Sequence, residues 1–346
     1  MLRKTDFLLV GIIMAGTKWY VKIDGGLGRC IAATGAIEQF AKRKSAQGDK
    51  VGIVTSFAEV FEGLEYIDKI YPIGMQYLYE EFISKGEYLE VEPYNNSKYY
   101  KDEKHLAQVF NFLLNGEDKF ISPKINLTEK ELLDAKEFVD SQKNEYRKKM
   151  ILIQPWGATG GKVINAGSKQ KESENNVCIK KDCVGSNQLY DPSQKLNLKI
   201  IDDETYRSFG LEFAQVLNEM LVNNGFTTYV IKTPDQIGFN GAKTFSKLTP
   251  REIIALIPFV DGIITCDSFM HHASAALGTP AKTIVLWAGT NPKNLGYPGQ
   301  INIKSWKPTE FEPNRIPHNH EYYLNKNKNS NEFKLDLIDK ILEELR

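Results

Sequence analysis

Short apolar runs alternate with longer amphipathic ones along most of the chain. Residues 19–24, Trp-Tyr-Val-Lys-Ile-Asp, read as a strand, Gly25-Gly26-Leu27-Gly28 as a tight loop, and 29–44 as a helix with Ile31, Ile37 and Phe40 apolar. Strands follow at 51–56, 69–72 and 88–91, with a short helix over 59–64. Leu106, Val109, Phe110 and Leu113 give 105–115 a helical period, and Thr128 with Glu131 forms the capping box that opens a helix over 127–146. The rhythm then restarts: strand 149–154, Gly-rich loop 155–162, helix 206–224, strand 227–232, and helix 249–259 begun by Thr249-Pro250. Strand 262–266, a helix from Ser268, strand 283–287 and a last helix over 332–346 complete the series.

Strands alternating with helices predict an α/β fold with parallel sheets and crossover helices. Two such series predict two Rossmann-like domains facing each other across a cleft, over residues 1–147 and 148–330, hinged near 147–150. The last segment, 331–346, is expected to pack back on the first domain. Residues 163–200 break the rhythm. They are rich in Lys, Asn, Ser, Gln and Gly, lack an apolar period, and read as a long insertion in a cleft loop. The Tyr-rich stretch 88–100 is also irregular, with aromatics suited to stacking on a sugar or base or to partial core.

A chain of 346 residues that is 42% hydrophobic can fill two cores. Its 44 basic and 44 acidic side chains cancel, so nothing electrostatic favours nonspecific binding to nucleic acid or membranes, although a local basic patch stays open. Cys30, Cys178, Cys183 and Cys266 suit a reducing compartment better than a disulfide scaffold. Cys178 and Cys183 lack further ligands nearby, and no metal site is expected. No run is long enough to span a bilayer. Residues 1–15 faintly resemble a secretory leader, but the apolar stretch is short and the first core strand follows at once. A cytoplasmic protein is expected, with translation starting at Met1 or Met14.

The richest chemistry lies in Asp267-Ser268-Phe269-Met270-His271-His272 and the small residues running to Gly278-Thr279-Pro280. A helix that starts at a strand's carboxyl end offers free N–H groups to an anion in the crevice. Adjacent helical residues sit ~100° apart, so one of His271 and His272 is expected to face the crevice and the other to pack. Gly25, Gly26 and Gly28 do not form a dinucleotide fingerprint. Ile31 stands where the third glycine belongs, and the second strand ends in Thr55-Ser56 rather than an acid. The loop instead suits close backbone approach to a substrate or simply a tight turn. Arg29, a cation at a helix start, calls for an acid or an anionic ligand. In 156–162, glycines around Thr159 and the mobile charge of Lys162 suit a phosphate.

Asp267-Ser268, His272, Ala275-Ala276-Leu277-Gly278-Thr279-Pro280, and then Thr290-Asn291-Pro292 and Gly296 resemble glycosyltransferase family nine, the ADP-heptose:lipopolysaccharide heptosyltransferases. The helix from Leu248-Thr249-Pro250 is similar too, and the likeness spans most of 19–300. The resemblance implies the GT-B fold, with an acceptor domain first and a nucleotide-sugar domain second. It implies inversion without a metal or other cofactor, a nucleotide-sugar as co-substrate (ADP- or another NDP-sugar), and a hydroxyl acceptor. It also implies donor-binding roles for Lys162, Thr159, Asp267, Ser268, His272, Thr290 and Asn291. Two positions depart from the pattern. The family's acid after Leu-Gly is Arg29 here, and the Gly after Asp-Ser is Phe269. Asp24 is the nearest acid and the candidate base, while Arg29 would hold an anionic acceptor or the diphosphate. The alternatives are a catalytically inactive nucleotide-sugar-binding protein, a transferase acting on modified nucleic acid, and a sugar-nucleotide epimerase. A Gly-Gly-x-Gly-Arg loop also resembles that of some fucosyltransferases, which leaves the donor sugar open.

Overall fold

A computed structural model describes residues 16–101, 103–143, 149–157, 162–165, 198–201, 207–245, 248–305 and 333–346. In chain order the first half comprises β1 (Lys18–Ile23), α1 (Leu27–Ser45), β2 (Lys50–Thr55), β3 (Ile67–Pro72), α2 (Leu78–Glu81), β4 (Glu87–Glu90), α3 (Ser97–Tyr100), α4 (Leu106–Asn115) and α5 (Glu129–Gln142). The second half comprises β5 (Lys149–Gln154), β6 (Lys162–Asn165), β7 (Leu198–Ile201), α6 (Leu211–Asn223), β8 (Phe226–Val230) and β9 (Lys243–Thr244). It continues with α7 (Pro250–Leu256), β10 (Gly262–Cys266), α8 (Phe269–Leu277), β11 (Lys282–Trp287), α9 (Pro292–Leu295), β12 (Ile301–Lys304) and α10 (Leu337–Leu345).

The strands form two parallel sheets, in the orders β3-β2-β1-β4 and β12-β11-β10-β5-β8-β9. Central strands buried on both faces need largely apolar runs, and β10 and β11 have them, broken only by Thr265 and by Lys282-Thr283 at the start of β11. Strand order reverses between β1 and β4 in the first sheet, and between β5 and β10 in the second. The loops leaving these strands, at Asp24–Gly26, Glu92, Pro155 and Asp267–Ser268, are therefore where an open α/β sheet takes a ligand.

The halves share a continuous core. One apolar cluster runs from Val21, Ile31 and Phe110 of the first half to Ile254, Met270 and Trp287 of the second. The capping box of α5 is formed, with Thr128 and Glu131 exchanging bonds.

Two expectations are corrected. The last helix, α10, packs on the second domain rather than the first. Ile338, Ile341, Leu342 and Leu345 join the cluster of Ile151, Phe213 and Ile264, and a Leu345 methyl fills the space beside Gly262. The amphipathic stripe is matched by that sheet's apolar face. The insertion is not irregular at its ends: β6 and β7 pair antiparallel, Lys162 with Ile201 and Asn165 with Leu198. The residues between 165 and 198 lie outside the described residues, as do 147–148 of the expected hinge and both candidate start positions.

Candidate active site at the seam between the sheets

The first wall grows from the end of β1. Gly25 has φ +101°, a left-handed value that a side chain resists, and a Cβ there would lie 2.9 Å from the Arg29 Cδ. Gly26 caps α1 with its backbone alone and has open space around it. Gly28 is where the two domains meet. A Cβ on it would lie 2.6 Å from His272 Cδ2 and 3.3 Å from the Phe269 Cα, so the first turns of α1 and α8 touch through a glycine.

Arg29 is occupied. Its Nη2 donates to Glu92 Oε2 at 2.8 Å and to the Val91 carbonyl at 3.1 Å, and the guanidinium lies 5.1 Å from the Tyr94 ring centre. Of the two partners expected for this cation, an acid or an anionic ligand, the fold supplies an acid. Lys22 donates to Glu90 Oε1 at 2.7 Å on the neighbouring strand. Lys22, Arg29, Glu90, Val91 and Glu92, with Asp24 and Gly25, line a cavity of ≈260 Å³. Asp24 Oδ1 accepts the Gly25 amide at 2.7 Å and forms no ion pair among the described residues.

The second wall is the start of α8. Asp267 is 4% exposed and accepts from His271 Nε2 at 3.1 Å. Burial opposes its charge, but the His271 bond and the Arg207 charge outweigh that and hold its carboxyl below the usual range. An ionised carboxylate only accepts, so His271 Nε2 carries a proton. Ser268 makes no cap bond of its own. Its Oγ accepts from Gln154 Nε2 at 2.8 Å, tying the end of β5 to the end of β10.

His272 corrects the expected division of labour. His271 is fully buried and His272 is 4% exposed, so neither ring is open to the crevice. His272 Nδ1 lies 2.7 Å from the Tyr297 hydroxyl. Burial drives its pKa well below 6.5, helped by His271, His105 and Arg207, so it is neutral near pH 7. Burial likewise raises the Tyr297 phenol well above 10 and the Tyr94 phenol to about 12. Tyr94 feels Asp267, Arg29, Arg207 and Glu92 together, which sets the two walls side by side.

Asn291 spends its side chain on capping α9, accepting the Lys293 amide at 3.0 Å, and Thr290 lies beside Asp267. The Lys162 backbone opens β6, whereas its side chain and all of Thr159 lie outside the described residues. Sequence reasoning missed Arg207, Glu92 and Gln154. Arg207 precedes Gly210, the N-cap of α6, and its charge reaches Asp267, His272 and Tyr94. A cation just before a helix start was its only signal.

Asp267, His271 and His272 place three metal-capable atoms within 4.8 Å of one another. The two imidazoles lie face to face, with ring centres 3.9 Å apart and a 35° tilt, and each already has a protein partner.

No protein-family model matches the chain, and no curated protein matches its sequence. Solved structures do match its shape. A glycosyl transferase of family 9 from Veillonella parvula DSM 2008 is 13% identical, with a TM-score of 0.61 over 95% of this chain and 97% of that one. E. coli ADP-heptose lps heptosyltransferase II is 10% identical, with a TM-score of 0.57 over 95% and 98%. TibC of enterotoxigenic E. coli H10407, an iron-containing dodecameric glycosyltransferase, is 10% identical, with a TM-score of 0.58 over 95% and 76%. TibC has also been solved with ADP-D-beta-D-heptose. Among the described residues no helix is long and apolar enough to cross a membrane. At such identities the likeness establishes architecture, and the chain has the two-domain GT-B fold seen in glycosyltransferase family nine.

Proposed function

We propose that the protein is an inverting glycosyltransferase that moves a sugar from a nucleotide-diphosphate donor to a hydroxyl acceptor. The donor would lie against the second domain, at the switch point marked by Gln154, Asp267 and Ser268. The acceptor would lie in the cavity of the first. Asp24 would take the acceptor's proton as its oxygen attacks the anomeric carbon. The bond from that carbon to the diphosphate breaks on the opposite face, and the electron pair leaves with the phosphate. The charge that develops there would meet Arg207, the start of α8 and, as the family resemblance suggests, Thr159 and Lys162. No step requires a metal or other cofactor.

One observation carries this reading. Three carboxylates line the cavity; Lys22 engages Glu90 and Arg29 engages Glu92, while Asp24 accepts the Gly25 amide and forms no ion pair among the described residues. This carboxylate stands at the end of β1, at the switch point of the first sheet. Arg29 would act as a positioning residue that fixes Glu92 and Tyr94. It would not bind the diphosphate.

The test is a panel of nucleotide-sugars scored by thermal shift and by release of the nucleotide diphosphate. Asp24→Asn should keep the shift and lose turnover about 10²–10⁴-fold. Turnover that survives the change removes Asp24 from the role. A second reading, donor binding without transfer, is favoured by the cation at the position where the family carries its acid. Thermal shift with no released product, for any acceptor tried, would support it.

A further inference from the structure

We infer that the acceptor is an uncharged saccharide that lies on the open face of the first sheet with one ring against Tyr88; the inference rests on the transferase reading above. Side chains alternate along β1 and β4. Val21, Ile23 and Val91 point into the core, whereas Tyr20, Lys22, Tyr88 and Glu90 share the other face. Parallel sheets normally cover both faces with helices. Among the described residues, the short segment around Leu78, Phe82 and Ile83 covers that second face only near Tyr20, Val54 and Tyr71. Beyond it, Tyr88 is 41% exposed and leads along the Lys22–Glu90 pair into the Asp24 cavity.

The charge of this path decides the class of ligand. Two cations against three carboxylates leave the cavity formally at −1, and both cations are already engaged by acids within 2.8 Å. A phosphorylated sugar or a nucleic-acid strand would have to break those pairs and then meet Asp24. Hydroxyl groups need no such exchange. They donate to carboxylates that keep their cations, and a sugar's C–H face suits a phenol ring that has water on one side.

The experiment is an array of neutral oligosaccharides, their phosphorylated counterparts and a short single-stranded DNA, probed with the full chain. Binding should be confined to neutral members, fall about tenfold in Tyr88→Ala and persist in Tyr88→Phe. Binding to phosphorylated members or DNA as tight as to any neutral one overturns the inference. So does the absence of any neutral binder, or binding indifferent to Tyr88→Ala. The wild-type thermal shift with nucleotide-sugars, recorded in parallel, reads the donor half alone. A shift with a failed array removes only the acceptor class, whereas no shift removes the transferase reading itself.

Discussion

Arg251 offers the most informative perturbation of the seam. It lies in the first turn of α7, in the second domain, is 8% exposed, and spends its guanidinium on the first. Nε and Nη2 hold the Glu131 carboxylate, Nη1 donates to the Glu59 carbonyl, and Nη2 also reaches the Asn126 carbonyl at 2.7 Å. The Glu131 pKa falls from 4.5 to about 2, chiefly through the Arg251 bond. That shift corresponds to about 3.4 kcal/mol at most. The Glu131 side chain is 27% exposed, so solvent screening brings the figure nearer ~2 kcal/mol. Two carbonyls losing a charged donor add to it, and Arg251→Ala should cost about 3–5 kcal/mol at pH 7. The pH dependence has a definite sign. Glu131 has a depressed pKa in the fold, so its contribution is complete above 4.5 and is lost as pH falls towards 2. Urea unfolding of both proteins should show their stability gap narrowing by about 1–2 kcal/mol between pH 6 and pH 3.5. Arg251→Lys should recover little, because an ammonium cannot span three acceptors in a plane. A gap below about 1 kcal/mol at pH 7, or one that stays flat with pH, refutes the argument.

Gly28→Ala sets helix propensity against packing. The helix gains about 0.5–1 kcal/mol, while the collision with a His272 ring pinned by Tyr297 costs about 1–3 kcal/mol. A net loss is expected by urea titration, and it should vanish in a His272→Ala background; equal effects in both backgrounds would deny the contact. Arg207→Ala should weaken nucleotide-sugar binding about tenfold by calorimetry. An unaltered dissociation constant would take Arg207 out of the donor site. Exhaustive chelation should leave transfer intact. Activity lost to a chelator and restored by a divalent cation would instead put a metal on Asp267, His271 and His272.

Local chemistry was legible and long-range pairing was not. The Thr128–Glu131 capping box, the tight glycine turn after β1 and the β10-α8-β11 unit all depend on neighbours a few residues away, and all were readable. Arg29 was readable as a cation in need of a partner, but Glu92 stands 63 residues on, and no local rule links them. Arg251 and Glu131 are separated by 120 residues in the same way. The apolar stripe of α10 fixes which face is buried without saying against which sheet. The β6–β7 ribbon left a faint trace in Val163-Ile164 and Ile200-Ile201, drowned by the polar residues between them. The 100° rule for His271 and His272 failed because it counts only the helix's own faces. A second helix, meeting α8 at Gly28, covers the face that the rule leaves to the crevice.

That same contact bears on the missing acid. In the family pattern an acid follows Leu-Gly, at the first turn of α1. Here that turn is pressed against His272, and its side chain at 29 runs outward beneath Gly25 to Glu92. An acid at position 29 would face Glu92 and Glu90 without a cation to separate them from it. The arginine instead pairs with Glu92, and Lys22 with Glu90, so Asp24 is the one acid lining the cavity that forms no ion pair among the described residues. Arg29 and Asp24 are thus coupled choices. Restoring the family's residue with Arg29→Asp would release Glu92 and crowd four carboxylates into ≈260 Å³. Like charges at that spacing raise one another's pKa. The variant should therefore lose turnover rather than gain a second base, and its remaining activity should shift to higher pH. Turnover at or above wild type would show that the acid's place is still at position 29, and that Asp24 is only part of the loop.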